Sequence, residues 1–280
     1  MLGRPLDKPV GYRESNPSGP GAGDQDQQPG HVGRCGGRIV AIVGGVTGAS
    51  EVQFPSAAPS DLAGRLVGRL AIVEPLAADH EEGLIDAASE SALFEWLPID
   101  MASSRDAIRR WLQSSLDAAQ SGSDVPFAIL DANTDEVVGS TRFLELRLEH
   151  LRAEIGWTWL RRASWSTGIN VETKMMLLGR AFEDAGLRRV EFKTDARNQR
   201  SRGALLALGA EFEGILRKHM VVRDGGARDS AYYSVIDDDW PRLREQLRQR
   251  VDDHAARQAR QSAPQLRPRA RGRAESGAEP

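Results

Sequence analysis

The stretch A-E-I-G-W-T-W-L-R-R-A-S-W-S-T-G-I-N-V-E-T-K-M-M, Ala153–Met176, decides the fold. Its first eight residues alternate and predict a strand; its last residues open a helix. Between them lies a bend of small residues. A helix N-terminus leaves about four N–H groups without intrahelical partners and carries roughly half a positive charge. Gly168 admits an unusual φ or a close approach. Ser164, Ser166, Thr167 and Asn170 are short donors, and Arg161 and Arg162 stand just before the bend. Together they suit a diphosphate. Capping by Thr167 or Asn170 alone would use the same residues. The G-x-G-x-x-G spacing and the P-loop lysine are absent, which excludes the common dinucleotide and nucleoside-triphosphate loops.

Around this stretch the patterning is that of one mixed domain. Arg65–Val73 predicts a strand that Pro75 ends, and Asp79 with Glu82 predicts a capping box for a helix burying Leu84, Ile85 and Ala88. Ile108, Trp111, Leu112, Leu116 and Ala119 form an apolar stripe over 105–120. P-F-A-I-L and V-V-G-S-T-R-F-L flank the turn-rich D-A-N-T-D-E and predict a hairpin. After the opening stretch, the helix is expected to bury Val171, Met175, Leu178 and Phe182 and to end near Gly186. Arg189–Thr194 predicts a strand. A helix starting at Asn198 or Ser201 stops at Gly209, and a last hairpin turns at D-G-G-A-R. The expected order is β-α-α-β-β-β-α-β-α-β-β, an α+β sheet. The strand–helix–strand unit in its second half demands one parallel pair.

The 280 residues carry a formal net charge of −3, which gives no reason to expect a nucleic-acid-binding domain. Cys35 is the sole cysteine, so no internal disulfide can form, and a reducing cytoplasm is expected. No apolar run reaches the roughly 18 residues of a membrane span, and the N-terminus reads as neither signal nor anchor. Residues 1–60 are roughly one-third Gly and Pro and predict a disordered extension. Within it, Arg38–Ser50 resembles a strand entering a phosphate loop, but Gly-Lys-Ser/Thr is missing. A chain beginning near Asp61 is expected to keep its stability. The domain is expected over 61–241, and 242–280 predicts a short exposed helix and a disordered, solvated Arg-rich tail.

E-I-G-W-T-W-L followed by W-S-T-G-I-N resembles the central motif of the GNAT acyltransferases, more closely the branch with the RimJ/RimL-type enzymes that acetylate protein N-termini. F-K-T-D-A-R-N-Q-R-S-R-G-A-L-L-A-L-G-A-E-F-E-G resembles that branch's strand, its N-x-x-S helix start and the segment after it. G-I-L-R-K-H-M-V-V-R-D-G-G-A-R-D-S-A-Y-Y-S-V-I resembles its closing hairpin. The likeness spans about Leu62 to Pro241 in motif order. It implies a GNAT fold, with a mostly antiparallel mixed sheet flanked by helices. One departure stands out: the family loop ends in Gly or Ala, and Asn170 holds that place here.

The resemblance implies acetyl-CoA as co-substrate and direct attack by an amine in a ternary complex. The pantetheine arm would lie along Trp157, Thr158 and Trp159 to Leu160, where a backbone N–H would serve the oxyanion. Arg162, Ser166, Thr167, Gly168 and Asn170 would hold the diphosphate, and Asn198 and Ser201 the pantetheine. Glu154 is the expected general base through water. It needs burial or a relay, because an ordinary carboxylate is a weak base toward an ammonium. Ser201 would assist the leaving thiolate, since the helix lacks the tyrosine many relatives place there. Trp96 and Tyr232 are expected at the acceptor site. Trp157 and Trp159 share a face with Ile155 by alternation and read as core. His80, His150 and His219 have no metal-ligand spacing, so no metal is expected.

The expected partner is an amine, a peptide N-terminus or a small molecule, without membrane or nucleic acid; a homodimer is allowed. A catalytically idle CoA-binding scaffold and a succinyl-CoA enzyme remain open at this point.

Overall fold

The computed structural model describes residues 56–262. The greater part of the Gly/Pro-rich extension, including Cys35 and Arg38–Ser50, lies outside the described residues, as do residues 263–280.

A single turn, α1 (Pro59–Leu62), buries Leu62. The strand expected over Arg65–Val73 is instead a hairpin, β1 (Leu66–Val67) and β2 (Ala71–Pro75), bent at Gly68. α2 (Glu81–Ala87) starts differently from the expected capping box. Asp79 is exposed, Glu82 bonds Arg105, and Nδ1 of His80 accepts the Ala77 N–H at 3.0 Å. α3 (Arg105–Ser121) is capped by Ser104, whose hydroxyl accepts from the Ala107 N–H, and stops at left-handed Gly122. Its buried stripe is Ile108, Trp111 and Leu112; Ala119, in the last turn, faces solvent.

β3 (Val125–Asp131), β4 (Val137–Arg147) and β5 (Arg152–Leu160) form the expected meander. Then follow α4 (Ile169–Gly179), extended by one π-turn over Arg180–Asp184, β6 (Arg189–Asp195), α5 (Gln199–Leu208), β7 (Glu211–Val221), β8 (Ala227–Ile236) and α6 (Trp240–Ser262). The eight strands make one sheet in the order β1-β2-β3-β4-β5-β6-β8-β7. Every pairing is antiparallel except β5 with β6, as the crossover through α4 requires.

One sheet face carries Val73, Phe127, Phe143, Ile155, Val190, Phe192 and Tyr233 against α4, α5 and α6. The other face carries Ile72, Ala128, Leu130 and Trp159 under α2 and α3. Ile155 and Trp159 therefore lie on opposite faces, contrary to strict alternation. The cause is a bulge: on β5 Trp157 and Thr158 stand between the paired Gly156 and Trp159, against Thr141 alone on β4. Trp157 takes φ 51°. An extra residue in one strand inverts the alternation beyond it.

The C-terminal segment is corrected as well. α6 is neither short nor free. Trp240, Leu243, Leu247 and Val251 are buried, and the helix packs along α4, so the folded unit extends past Pro241 to Ser262. Its apolar residues recur every three or four positions within an Arg- and Gln-rich sequence, and that stripe suffices to dock it.

Candidate active site

β5 and β6 are paired at only three positions, Arg152↔Arg189, Ala153↔Val190 and Glu154↔Glu191. Beyond Glu154 the two parallel strands part. The β6-facing edge of β5, including the bulge, then has no strand partner among the described residues, and an extended ligand can add to such an edge as a strand would.

Glu154 stands at the parting point with 2% of its surface exposed. Burial raises its pKa above the ordinary carboxylate value; the ion pair with Lys193 (2.9 Å) opposes the shift without cancelling it. The burial that a carboxylate base needs is thus present. Lys193 was not legible as a site residue. It faces Glu154 because it sits two positions past Glu191, on the same face of the neighbouring strand. Tyr232 pairs in register with Lys193, and burial, with Glu154, Glu191 and Glu145 nearby, pushes its phenol up to about 12. Its hydroxyl lies 3.4 Å from Nε2 of His219.

The opposite face holds a group the sequence did not advertise. Lys174, on α4, is buried beneath the bulge and donates to Oγ1 of Thr158 (2.6 Å) and Oγ1 of Thr141 (3.3 Å). Desolvation, with no acidic partner to offset it, lowers its pKa to about 7. The face of α4 that turns inward near its start is polar, with Glu172, Thr173 and Lys174 all buried. Val171, Met175 and Phe182, expected inside, are only partly so.

The bend itself is half covered. Gly168 has φ 98° and is buried, and a Cβ there would fall 2.6 Å from His254 on α6 and 2.7 Å from Leu70. This glycine therefore serves the turn and the packing of α6. Gln258 also donates to the Thr167 carbonyl (3.2 Å). Thr167 donates to the Ser164 carbonyl (2.8 Å), and Trp165 Nε1 to the Leu160 carbonyl (2.9 Å). Arg162, Ala163 and Ser166 remain exposed, Ser166 with φ 61°, and Oδ1 of Asn170 is buried without a partner. Two guanidinium groups converge on the Trp165 ring, Arg162 at 4.8 Å and Arg200 at 3.7 Å. Burial and the neighbouring Arg162 both lower the pKa of Arg200. Arg162 is already paired with Glu90 at 2.7 Å, and Arg200 beside it is the guanidinium available to an added anion at the open bend. Arg200 was missed because it lies in α5, distant in sequence from the bend.

At the start of α5, Oδ1 of Asn198 accepts the Ser201 N–H (3.0 Å), the geometry of an N-cap. Ser201 is half-buried beside it. Trp159 packs edge-on against Phe94 and Trp111, while Trp157 lies under Arg142 at 4.9 Å. Trp96 lines a cavity of about 240 Å³ together with Asp195, Arg197, Arg223 and Arg228; Tyr232 does not line it. Among the described residues no cluster of His, Cys, Asp or Glu could hold a metal ion, and no helix is long and apolar enough to cross a membrane.

Comparison with known proteins agrees with this geometry. The chain is 33% identical over 120 residues to the uncharacterized N-acetyltransferase p20 of Bacillus licheniformis, covering 43% of this chain and 65% of that protein, slightly under two thirds of its length. A GCN5-related N-acetyltransferase from Brucella melitensis superposes with a TM-score of 0.66 at 28% identity, over 71% of this chain and 90% of that one. Mycobacterium smegmatis RimJ, solved with CoA-disulfide, shares the fold at 22% identity, a TM-score of 0.54, and coverage of 61% and 84%. The acetyltransferase (GNAT) domain matches residues 69–211, just over half the chain, and with its parted parallel strands this protein belongs to the GNAT family.

Proposed function

We propose that this protein transfers an acetyl group from acetyl-CoA to a primary amine by direct attack in a ternary complex, as a member of the RimJ/RimL-like branch. The observation that carries the reading is the parting of β5 and β6 immediately after a buried carboxylate, Glu154. The residues present suit coenzyme A. The free edge of β5 would take the pantetheine amides. The exposed part of the bend and the Arg162–Trp165–Arg200 stack would meet the phosphates. Asn198 and Ser201 stand at the start of α5, where the thiol end would come to lie.

In the proposed reaction the amine nitrogen attacks the thioester carbon. The C–N bond forms, the C–S bond breaks and the thiolate leaves. Glu154 accepts the ammonium proton through water, its burial making it a stronger base than an exposed carboxylate. A thiol leaves tolerably as the thiolate, so Ser201 is needed only as a hydrogen-bond donor. The catalytic unit is taken to run from about residue 61 through α6.

Calorimetry with coenzyme A and thiol release from acetyl-CoA with a panel of amines test this reading. Binding accompanied by amine-dependent thiol release is expected. Absence of coenzyme A uptake by folded protein refutes it, and binding without turnover would mark a CoA-binding scaffold.

A further inference from the structure

The cavity beside Trp96 is lined by a buried guanidinium that no carboxylate hydrogen-bonds among the described residues. Its lining includes three carboxylates and three guanidinium groups, Glu95, Asp195, Asp224, Arg197, Arg223 and Arg228. Most of these are already committed or solvated. Asp195 is buried, accepts three hydrogen bonds from Arg197, and is held below the usual carboxylate range by them. Arg197 also stacks on Trp96 at 5.3 Å. Arg223 donates to the Phe94 carbonyl and lies 3.8 Å from Asp100. Glu95 and Asp224 are exposed.

Arg228 differs. It is 7% exposed, its Nε is buried without a partner, and among the described residues no side chain hydrogen-bonds it. Asp195 and Glu154 influence it only at a distance. An arginine cannot shed its charge, and a buried charge left unpaired is costly. Such a group persists where a ligand supplies the partner.

We propose that this cavity receives a carboxylate of the acceptor, held by Arg228, so that the substrate is an amine that also carries an acidic group. The proposal rests on the acyltransferase reading above. Arg228 lies on the same β8 face as Ser230 and Tyr232, and Tyr232 is in register with Lys193, the partner of Glu154. The carboxylate end and the base thus share one side of the sheet, at the mouth of the parted strands. One guanidinium without a hydrogen-bonded partner, in a lining whose three carboxylates match its three guanidinium groups, suits a singly charged group better than a phosphate. The carboxylate could belong to a free amino acid or to the acidic second residue of a peptide.

The test measures thiol release from acetyl-CoA by the wild-type protein. Free amino acids are compared with their amides, and peptides with Asp or Glu second with their Asn or Gln counterparts. A charge-assisted pair is expected to favour the carboxylate acceptor at least about tenfold in kcat/KM. Preference within the first pair of sets identifies a free amino acid, and preference within the second a peptide. Arg228→Gln should bring the ratio close to one, whereas Arg223→Gln, whose partners are internal, should leave most of it. If Arg228→Gln does not fold, Arg228→Lys keeps the charge but loses the planar fork, and the ratio should fall without vanishing. Turnover of amides and carboxylates at equal rates overturns the inference and leaves the transferase reading intact. So does a ratio that survives in both Arg228 variants. Coenzyme A binding with no turnover of any amine overturns both.

Discussion

The carboxylate of Glu172, on α4, lies 2.6 Å from the backbone nitrogen of Leu70, in the β1–β2 turn a hundred residues earlier in the chain. It also accepts the N–H groups of Arg69 and Ala71, both at 2.8 Å, and a Cβ on Gly68 would fall 2.3 Å from its carboxyl carbon. One side chain thus ties the first hairpin to the start of the helix that carries the bend. Glu172→Ala leaves three buried or half-buried donors unmet and should cost about 3 kcal/mol in urea unfolding. Gly68→Ala should displace the same carboxylate. The double variant should then cost little more than the worse single one; additive losses would show that the two residues do not act through one contact.

Lys174 predicts a pH-dependent stability. With a folded pKa of about 7 against an ordinary value of 10.5, the unfolded chain holds more protons between these limits. Stability from this group therefore rises as pH increases from about 7, and its full desolvation penalty applies below that. Lys174→Met removes the effect and leaves Thr141 and Thr158 bonded to each other at 2.8 Å. The stability gap between variant and wild type should change by about 2 kcal/mol between pH 7 and 9. Parallel curves over that range would mean the ammonium is hydrated.

Glu154 predicts the acid limb of the rate. If Glu154 is the base proposed above, its raised pKa places the loss of the carboxylate above the ordinary range, so kcat/KM should fall with decreasing pH from a higher point than for an exposed glutamate. Glu154→Gln should lower kcat about a hundredfold, with coenzyme A affinity nearly unchanged and the acid limb gone. An unaltered pH profile in that variant assigns the base elsewhere.

α6 predicts that the fold does not end where the family likeness ends. A chain stopping at Pro241 loses Leu243, Leu247 and Val251, each buried, and uncovers Gly168 and α4. At about 1.5–3 kcal/mol for each side chain, the loss approaches the whole stability of a typical domain. Soluble, cooperatively melting protein from that truncation would contradict the packing. Gly168→Ala, which meets His254 and Leu70 at a positive φ, should lower the melting temperature without touching Glu154.

Much of the architecture was legible because it depends on local rules. The meander, the crossover helix, Gly209 as a stop, and the single parallel pair follow from periodicity, turn chemistry and connection handedness. Glu154, the polar position at the start of the alternating run, was singled out through the family resemblance, and its burial came only with the fold. Where the extra residue fell in β5 was not. A bulge costs a strand nothing in composition, and its site is chosen by pairing with β4, so Ile155 and Trp159 were assigned one face and occupy two.

What the sequence determined alone was therefore the order of elements from α2 to β8 and the bend that follows β5. Only tertiary packing decided which charges meet. Lys193 beside Glu154, Arg200 against Trp165, Glu172 on the β1–β2 turn, and Arg228 left without a partner all join segments far apart in the chain. A charged residue read in one dimension looks like solvated surface. Its burial, its partner and its pKa come into being when strands and helices from distant segments close around it.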